Sequence, residues 1–175
     1  MAKAATKEKE NTTQSKNLMF IQKVKVNNDN TATIQFKTSN DLSAQEINFT
    51  GKDQITEEFA KSFQETVKGF TSCLPKLASE SNKLTMNAIR LDYGKTDFLE
   101  KALYSVKYAF NDQNNAVINI STPLLPIYKE GMENTFCISG KDEEALHNVI
   151  AQAKAYINGE TRTKQMKLVV DNTDQ

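Results

Sequence analysis

One short segment constrains the fold more than any other, because its apolar side chains recur at every second position. In residues 100–110, EKALYSVKYAF, the set that shares one face is Ala102, Tyr104, Val106, Tyr108 and Phe110. Successive side chains of a β-strand point to opposite faces of a sheet, so a period of two predicts a strand here. Lys101 and Lys107 fall on the face opposite the tyrosines.

Segments with the same period flank this strand on both sides. Residues 83–93, KLTMNAIRLDY, predict a second strand, and its expected common face carries Asn87, Ile89, Leu91 and Tyr93. Residues 116–122, AVINIST, follow the polar turn 111–115 and place Ile118 and Ile120 together. Successive strands joined by turn-forming residues are typical of an antiparallel meander.

A hairpin is predicted before this meander. Residues 18–26 and 31–38 alternate around an Asn- and Asp-rich turn, and these residue types favour tight turns because they bond their own backbone. Lys23 and Lys25 lie opposite the apolar face of the first strand. A weaker third strand is expected at residues 45–49.

Two segments have the helical period instead. In residues 55–78 the apolar stripe is Phe59, Phe63, Val67, Phe70 and Leu74, and Pro75 is expected to end or kink this helix. In the last helix the stripe is Leu146, Val149, Ile150, Ala153 and Tyr156. Ser139 is the expected N-cap and Gly159 the expected left-handed C-terminal residue.

The predicted order β-β-(β)-α-β-β-β-α indicates an α+β fold, a mainly antiparallel sheet with two helices packed on one face. Residues 17–170 are expected to form one such domain. Residues 1–16 are polar and predict a disordered arm, and 171–175 predict a disordered tail. A short apolar piece, MKLVV at 166–170, is a candidate for a further edge strand.

Little in the sequence points to catalysis or to a metal. His147 is the only histidine, and the two cysteines, Cys73 and Cys137, form no CxxC pair. The chain contains no nucleophile elbow, calcium loop or glycine-rich phosphate loop. These features favour a non-enzymatic protein without a cofactor. No apolar run has the length of a signal peptide or a membrane span, so we expect a cytoplasmic protein with free thiols.

Surface chemistry suggests a binding role. Lysines and tyrosines on one sheet are the residue types with which single-strand binders track phosphates and stack bases. The candidate nucleic-acid contacts are Lys101, Lys107, Tyr104 and Tyr108 on the central strand, and Arg162 and Lys164 after the last helix. In the alternative interpretation the tyrosines face the core and the lysines are a solvated face. The formal net charge of zero argues against a duplex-DNA binder that works by phosphate neutralisation alone.

The loop Pro123–Asn134 is a candidate for contact with a protein partner. It carries more apolar side chains than a solvated loop needs, namely Leu124, Leu125, Ile127, Tyr128 and Met132. The alternative is that this loop folds over the core. Edge strands and apolar loops would also suit a homodimer, and the sequence leaves the oligomeric state open.

Three segments support a resemblance: IRLDYGKTDFLEKALYSVKYAF at 89–110, INISTPLLP at 118–126 and EALHNVIAQAKAYINGETR at 144–162. From Ile89 onward, about half of its length, the chain resembles a family of small tailed-phage proteins of uncharacterised function. Genes of that family tend to lie near genes for single-strand annealing and single-strand binding. The resemblance therefore implies an accessory role in phage or prophage DNA replication or recombination, with single-stranded DNA or a recombination partner as ligand. It supplies no catalytic residues.

Two other functions remain open at this point. Small phage proteins without catalytic motifs also serve as anti-defence inhibitors that bind a host protein. A protein that sequesters a nucleotide is the third possibility, and only the lysine and aromatic content supports it.

Overall fold

A computed structural model describes residues 18–39, 44–110, 116–132 and 136–160 of the chain. Its main feature is a seven-stranded sheet in which all strand pairings are antiparallel. The strands are β1 Phe20–Val26, β2 Ala32–Lys37, β3 Ile47–Thr50, β4 Leu84–Asp92, β5 Lys101–Ala109, β6 Val117–Ser121 and β7 Leu125–Pro126. Their order is β3-β2-β1-β4-β5-β6, and β7 pairs with the start of β5.

The helices all lie on one face of this sheet, which confirms the predicted α+β class. They are α1 Glu57–Glu65, α2 Val67–Cys73 and α3 Lys141–Ile157, with a 3₁₀ segment at Pro75–Lys83. α1 contacts α3, α2 lies on β5, and α3 reaches β1. The inward side chains of β1, β2, β4 and β5 and the helix stripes form one buried apolar cluster, so the core is a single layer between sheet and helices.

The first predicted helix is divided into α1, α2 and the 3₁₀ segment. Thr66 lies at the α1–α2 junction, fully buried, and its hydroxyl donates to the carbonyl of Phe63 at 2.6 Å. Pro75 starts the 3₁₀ segment, as expected from its missing N–H. Gly69 allows α2 to approach the sheet, because a Cβ there would lie 2.7 Å from the Tyr104 hydroxyl oxygen.

A β-bulge in β4 places one residue on a different face of the sheet from the predicted one. The alternation in β4 shifts between Met86 and Ala88, so that Met86 and Ile89 are both buried. Asn87 is therefore not on the same face as Ile89, contrary to the prediction, and it lines the opposite face of the sheet. The physical reason is that a bulge inserts one extra residue and inverts the period on one side of it.

The last helix begins one residue later than predicted. Gly140, with φ of 55°, is its N-cap and Ser139 is not. Ser139 contributes only its carbonyl, which accepts the N–H of Asp142 at 3.2 Å. Gly159 has φ of 73°, which confirms the predicted left-handed residue after the helix. Among the described residues, no helix has both the length and the apolarity to cross a bilayer.

Several predicted features lie outside the described residues. They are the arm at 1–16, the turn at 111–115, the MKLVV piece at 166–170 and the tail at 171–175.

Candidate nucleic-acid interface

The face of the sheet that the helices leave uncovered carries mostly polar side chains, and we call it the open face. It contains a concavity of about 580 Å³. Its lining comes from β1, β2, β4, β5 and β6 and from the residue before β3, and includes Gln22, Lys23, Lys25, Gln35, Glu46, Asn87, Arg90, Asp92, Leu103, Ser105 and Ser121. Pockets for small apolar ligands are lined mainly by apolar side chains, so this lining favours a charged or strongly polar ligand.

Strand register brings the cations of the open face together. Lys23 of β1 lies directly opposite Arg90 of β4, and Lys25 lies opposite Ala88. Neighbouring strands are about 4.8 Å apart, so these side chains share one small area. Lys107 of β5 continues the group beyond the first concavity. Its ammonium donates to the Asn28 side-chain oxygen at 3.1 Å.

A second concavity of about 420 Å³ adjoins the first and shares two lining residues with it. Lys25 and Asn87 line both, and Lys107 and Asn119 line only the second. The open face therefore presents a continuous strip of cations and amides across β1, β4, β5 and β6. An extended polar strip fits a flexible polymer better than a compact ligand.

The charge of this strip is positive but not purely so. Glu46 and Asp92 share the lining of the first concavity with its cations, whereas the lining of the second contains Lys25 and Lys107 and no acidic residue. None of the ion pairs among the described residues involves Lys23, Lys25 or Arg90. Like charges directly across two strands destabilise a sheet, so the Lys23–Arg90 pair is a place where an anion would relieve repulsion.

The predicted contacts on β5 lie on two different faces. Lys101, exposed and opposite Asp92, and Lys107 are on the open face. Tyr104 is 0 % exposed under α2, so its ring has no face available to a base. Burial, with a smaller contribution from the charge of Asp142, raises the pKa of Tyr104 above its ordinary value. For Tyr104 the structure supports the alternative interpretation, in which the tyrosine belongs to the core.

Tyr108 also lies on the helix side of the sheet. Its hydroxyl donates to the Glu80 carboxylate, which also accepts from the Lys83 ammonium at 2.8 Å. These bonds, Lys83 first and Tyr108 second, hold the pKa of Glu80 below its usual range. The Phe110 ring meets the Tyr108 ring edge-on, with 4.9 Å between centroids. The four residues predicted on β5 therefore do not form one surface.

Two other predicted contacts, Arg162 and Lys164, lie outside the described residues. Sequence reasoning missed Arg90, Asn87 and Gln35 as members of the open face. The alternation around Lys23 and Lys25 contained part of the signal. Only strand register, however, places Arg90 beside Lys23.

The proposed partner loop is also divided between core and surface. Leu125 pairs through β7 with Ala102, and Ile127 bridges to Ile138, so both side chains are buried. They are therefore not available to a partner, which corrects the prediction for these two residues. Leu124 and Tyr128 are exposed and Met132 is half-buried.

No group of three His, Cys, Asp or Glu side chains in the described part of the chain could hold a metal ion. His147 is exposed on α3, 3.8 Å from the Glu143 carboxylate. Cys73 and Cys137 are both free and half-buried.

Comparisons with protein-family models, with curated protein sequences and with solved structures gave no match for this chain.

Proposed function

We propose that this protein binds single-stranded DNA on its open face, without catalysis, as an accessory protein of phage or prophage DNA replication or recombination. The observation that supports the proposal most is the convergence of Lys23, Lys25, Arg90 and Lys107 on a sheet face that no described helix covers. The resemblance to small tailed-phage proteins supports the biological setting, which would be the host cytoplasm.

The composition of the open face favours a flexible strand over a rigid duplex. Its cations are few and are interspersed with amides and hydroxyls, such as Gln35, Asn87 and Ser105. A duplex binder usually relies on a larger basic excess, and this chain has none. Amide side chains can donate to and accept from the base edges that a single strand exposes.

The missing aromatic platform limits the expected affinity. Base stacking on aromatic side chains contributes about 1–3 kcal/mol per base in single-strand binders, and the described lining of the open face has no aromatic residue. Binding should therefore be mainly electrostatic, tolerant of sequence and steeply dependent on salt.

The test is fluorescence anisotropy of a labelled single-stranded oligonucleotide, with a duplex of the same length beside it, over a series of salt concentrations. The double variant Lys23→Gln/Arg90→Gln should weaken binding and reduce the salt slope by about 0.7 for each lost phosphate contact. Its matched control is Lys61→Gln/Lys76→Gln, which removes two exposed lysines from the helix side. Equal loss in both variants, or no binding at low salt, would refute the proposal.

A second candidate function, inhibition of a host protein as an anti-defence factor, is favoured by one specific observation. Exposed apolar side chains lie on the loops next to the start of β5. Phe98 is 80 % exposed in the β4–β5 loop, and Tyr128 and Phe136 are exposed between the bridged residues Ile127 and Ile138. Backbone bonds hold these loops together, from Ile127 to the Glu100 carbonyl and from Tyr128 to the Ile138 carbonyl, each at 2.8 Å.

A pull-down from host lysate separates this candidate from DNA binding. A stoichiometric partner that is lost with Phe98→Ser/Tyr128→Ser and kept with Lys23→Gln/Arg90→Gln would favour inhibition. The reverse pattern, or recovery only of nucleic-acid-associated proteins that nuclease treatment removes, would favour DNA metabolism. If free nucleotides raise the melting temperature when oligonucleotides do not, the ligand is a sequestered nucleotide.

A further inference from the structure

The outer edge of β6 has hydrogen-bonding groups that no described residue uses. On its inner side, Thr122 donates its N–H to the Tyr104 carbonyl at 3.0 Å, and the Ala116 carbonyl accepts from Phe110 at 2.9 Å. Neighbouring residues of a strand alternate in direction, and the β5–β6 register has no bulge. The N–H and C=O groups of Val117, Asn119 and Ser121 therefore point away from the sheet.

Natural edge strands are usually protected against pairing, and no described residue protects β6 in the usual ways. Such strands carry lysine or proline, or are bent by a bulge, or are covered by another element. The sequence of β6, VINIS, has no charge and no proline. Val117 is 54 % exposed and Ile118 is 45 % exposed.

We propose that the β6 edge binds a second copy of this chain, strand to strand and antiparallel, with Asn119 at the two-fold axis. In this arrangement Asn119 meets Asn119 of the second copy, and Val117 meets Ser121. Each of these residues has its N–H and C=O directed outward, so every pair exchanges two backbone hydrogen bonds. The strand is its own complement in this register.

Side chains on both faces of β6 fit the same register. Ile118 and Ile120 would meet Ile120 and Ile118 of the second copy on the helix side of the sheet. Ile118 lies opposite Tyr108, whose ring contacts the 42 % exposed Phe110, so an apolar patch continues behind the pair. Because β6 carries no charge, two copies meet there without repulsion between like charges.

The other edge of the sheet, β3, is less suited to a second copy. Phe49 of β3 packs edge-on against Tyr156 of α3, with 6.0 Å between ring centroids. Ile157 at the end of α3, with Asn158 and Gly159 after it, lines a concavity together with β3, so the end of α3 lies beside this edge. Glu46, directly before β3, adds a negative charge. β3 therefore serves as an internal control for β6.

The proposed pairing would extend the open face. A two-fold axis perpendicular to the sheet keeps both open faces on the same side, and Asn119 lies opposite Lys107. The cationic strips of the two copies would therefore join across β6. The use of this joined strip rests on the proposed DNA binding, whereas the pairing of the two β6 strands does not.

The test is sedimentation velocity of the full chain over a wide range of protein concentration. A single strand pair buries less than the roughly 1,200 Å² of standard stable interfaces, so the dimer should be reversible and concentration-dependent. Asn119→Pro removes an outward N–H from each copy without breaking the β5–β6 ladder. It should weaken the dimer by about 5- to 150-fold, since the variant loses one backbone hydrogen bond from each copy.

The matched control is Asn48→Pro. The Gly51 N–H bonds inward to the Ala32 carbonyl, so Asn48 points outward from β3, as Asn119 does from β6. This variant should keep the wild-type dimer. If either proline variant loses its circular-dichroism spectrum, Ile118→Lys and Ile47→Lys provide the same comparison with exposed side chains. A wild-type chain that stays monomeric throughout, or a dimer lost only in the β3 variants, overturns the inference.

The two proposals fail separately. A β6-dependent dimer that does not bind DNA removes the proposed function and leaves the inference standing. A monomer that binds DNA removes the inference of a β6 dimer and leaves the proposed function standing.

Discussion

The two faces of the sheet are built from the same strands but have opposite chemistry. Ile89 is fully buried under the helices, and Arg90, the next residue, is exposed on the open face. Apolar side chains on the covered face stabilise the protein because they leave water. The cations on the open face do not stabilise one another, and they stay solvated. The open face contributes little to folding stability. Its side chains can therefore serve in binding with little loss of that stability.

The strongest test of this comparison uses these two neighbours in β4. Ile89→Ala should lower the free energy of unfolding by about 2–5 kcal/mol, because it leaves a cavity in a packed core. Arg90→Ala should leave it unchanged or raise it by no more than about 1 kcal/mol, since it removes an exposed side chain and a like charge opposite Lys23. Urea denaturation followed by circular dichroism measures both. Comparable losses from the two variants would show that the open face is covered in solution.

A second test examines how tightly α2 packs on the covered face. Gly69→Ala places a Cβ 2.7 Å from the Tyr104 hydroxyl oxygen, so we expect a loss of about 1–3 kcal/mol from overpacking. The Tyr104 hydroxyl is buried and has no hydrogen-bond partner among the described residues.

Tyr104→Phe alone should therefore be neutral or stabilising, because it removes an unsatisfied polar group. Combined with Gly69→Ala, it should recover part of the loss. Thermal unfolding of the two single variants and the double variant measures the coupling, and strictly additive effects would contradict this packing.

A third test concerns the charges of the open face. Lys23→Gln should raise the free energy of unfolding by about 0.2–1 kcal/mol at low salt, since it removes a like charge opposite Arg90. The gain should vanish at high salt as screening increases. Lys61→Gln on α1 is the control. Stabilisation that persists at high salt would point to a cause other than charge repulsion.

The smallest expected effect is the pH dependence that Glu80 contributes. Its hydrogen bonds from Lys83 and Tyr108 lower its pKa in the folded state, so the folded protein binds this proton less readily than the unfolded chain. The stabilising contribution is present above the ordinary carboxyl pKa and is lost as pH falls through the lower, folded-state pKa. Glu80→Gln should flatten the acid limb of a plot of stability against pH, measured by urea denaturation at a series of pH values.

The sequence alone determined the elements and their class, because side-chain periodicity reflects local backbone geometry. The alternation in β5 and the helical stripes in α1 and α3 were sufficient to predict an α+β fold with helices on one face. Gly159 was predictable for the same reason, since the left-handed conformation after a helix favours glycine whatever the tertiary context.

Only the tertiary structure decided which residues share a surface. The alternation separates Tyr104 from Lys107 but does not say which face the helices cover, and that depends on how α2 docks through Gly69. The bulge that moves Asn87 to the open face is a property of two paired strands and leaves no local signature. Arg90 joins Lys23 only because β1 and β4, distant in sequence, are neighbours in space. Register between distant strands is set by the packing of the whole core, which no single segment contains.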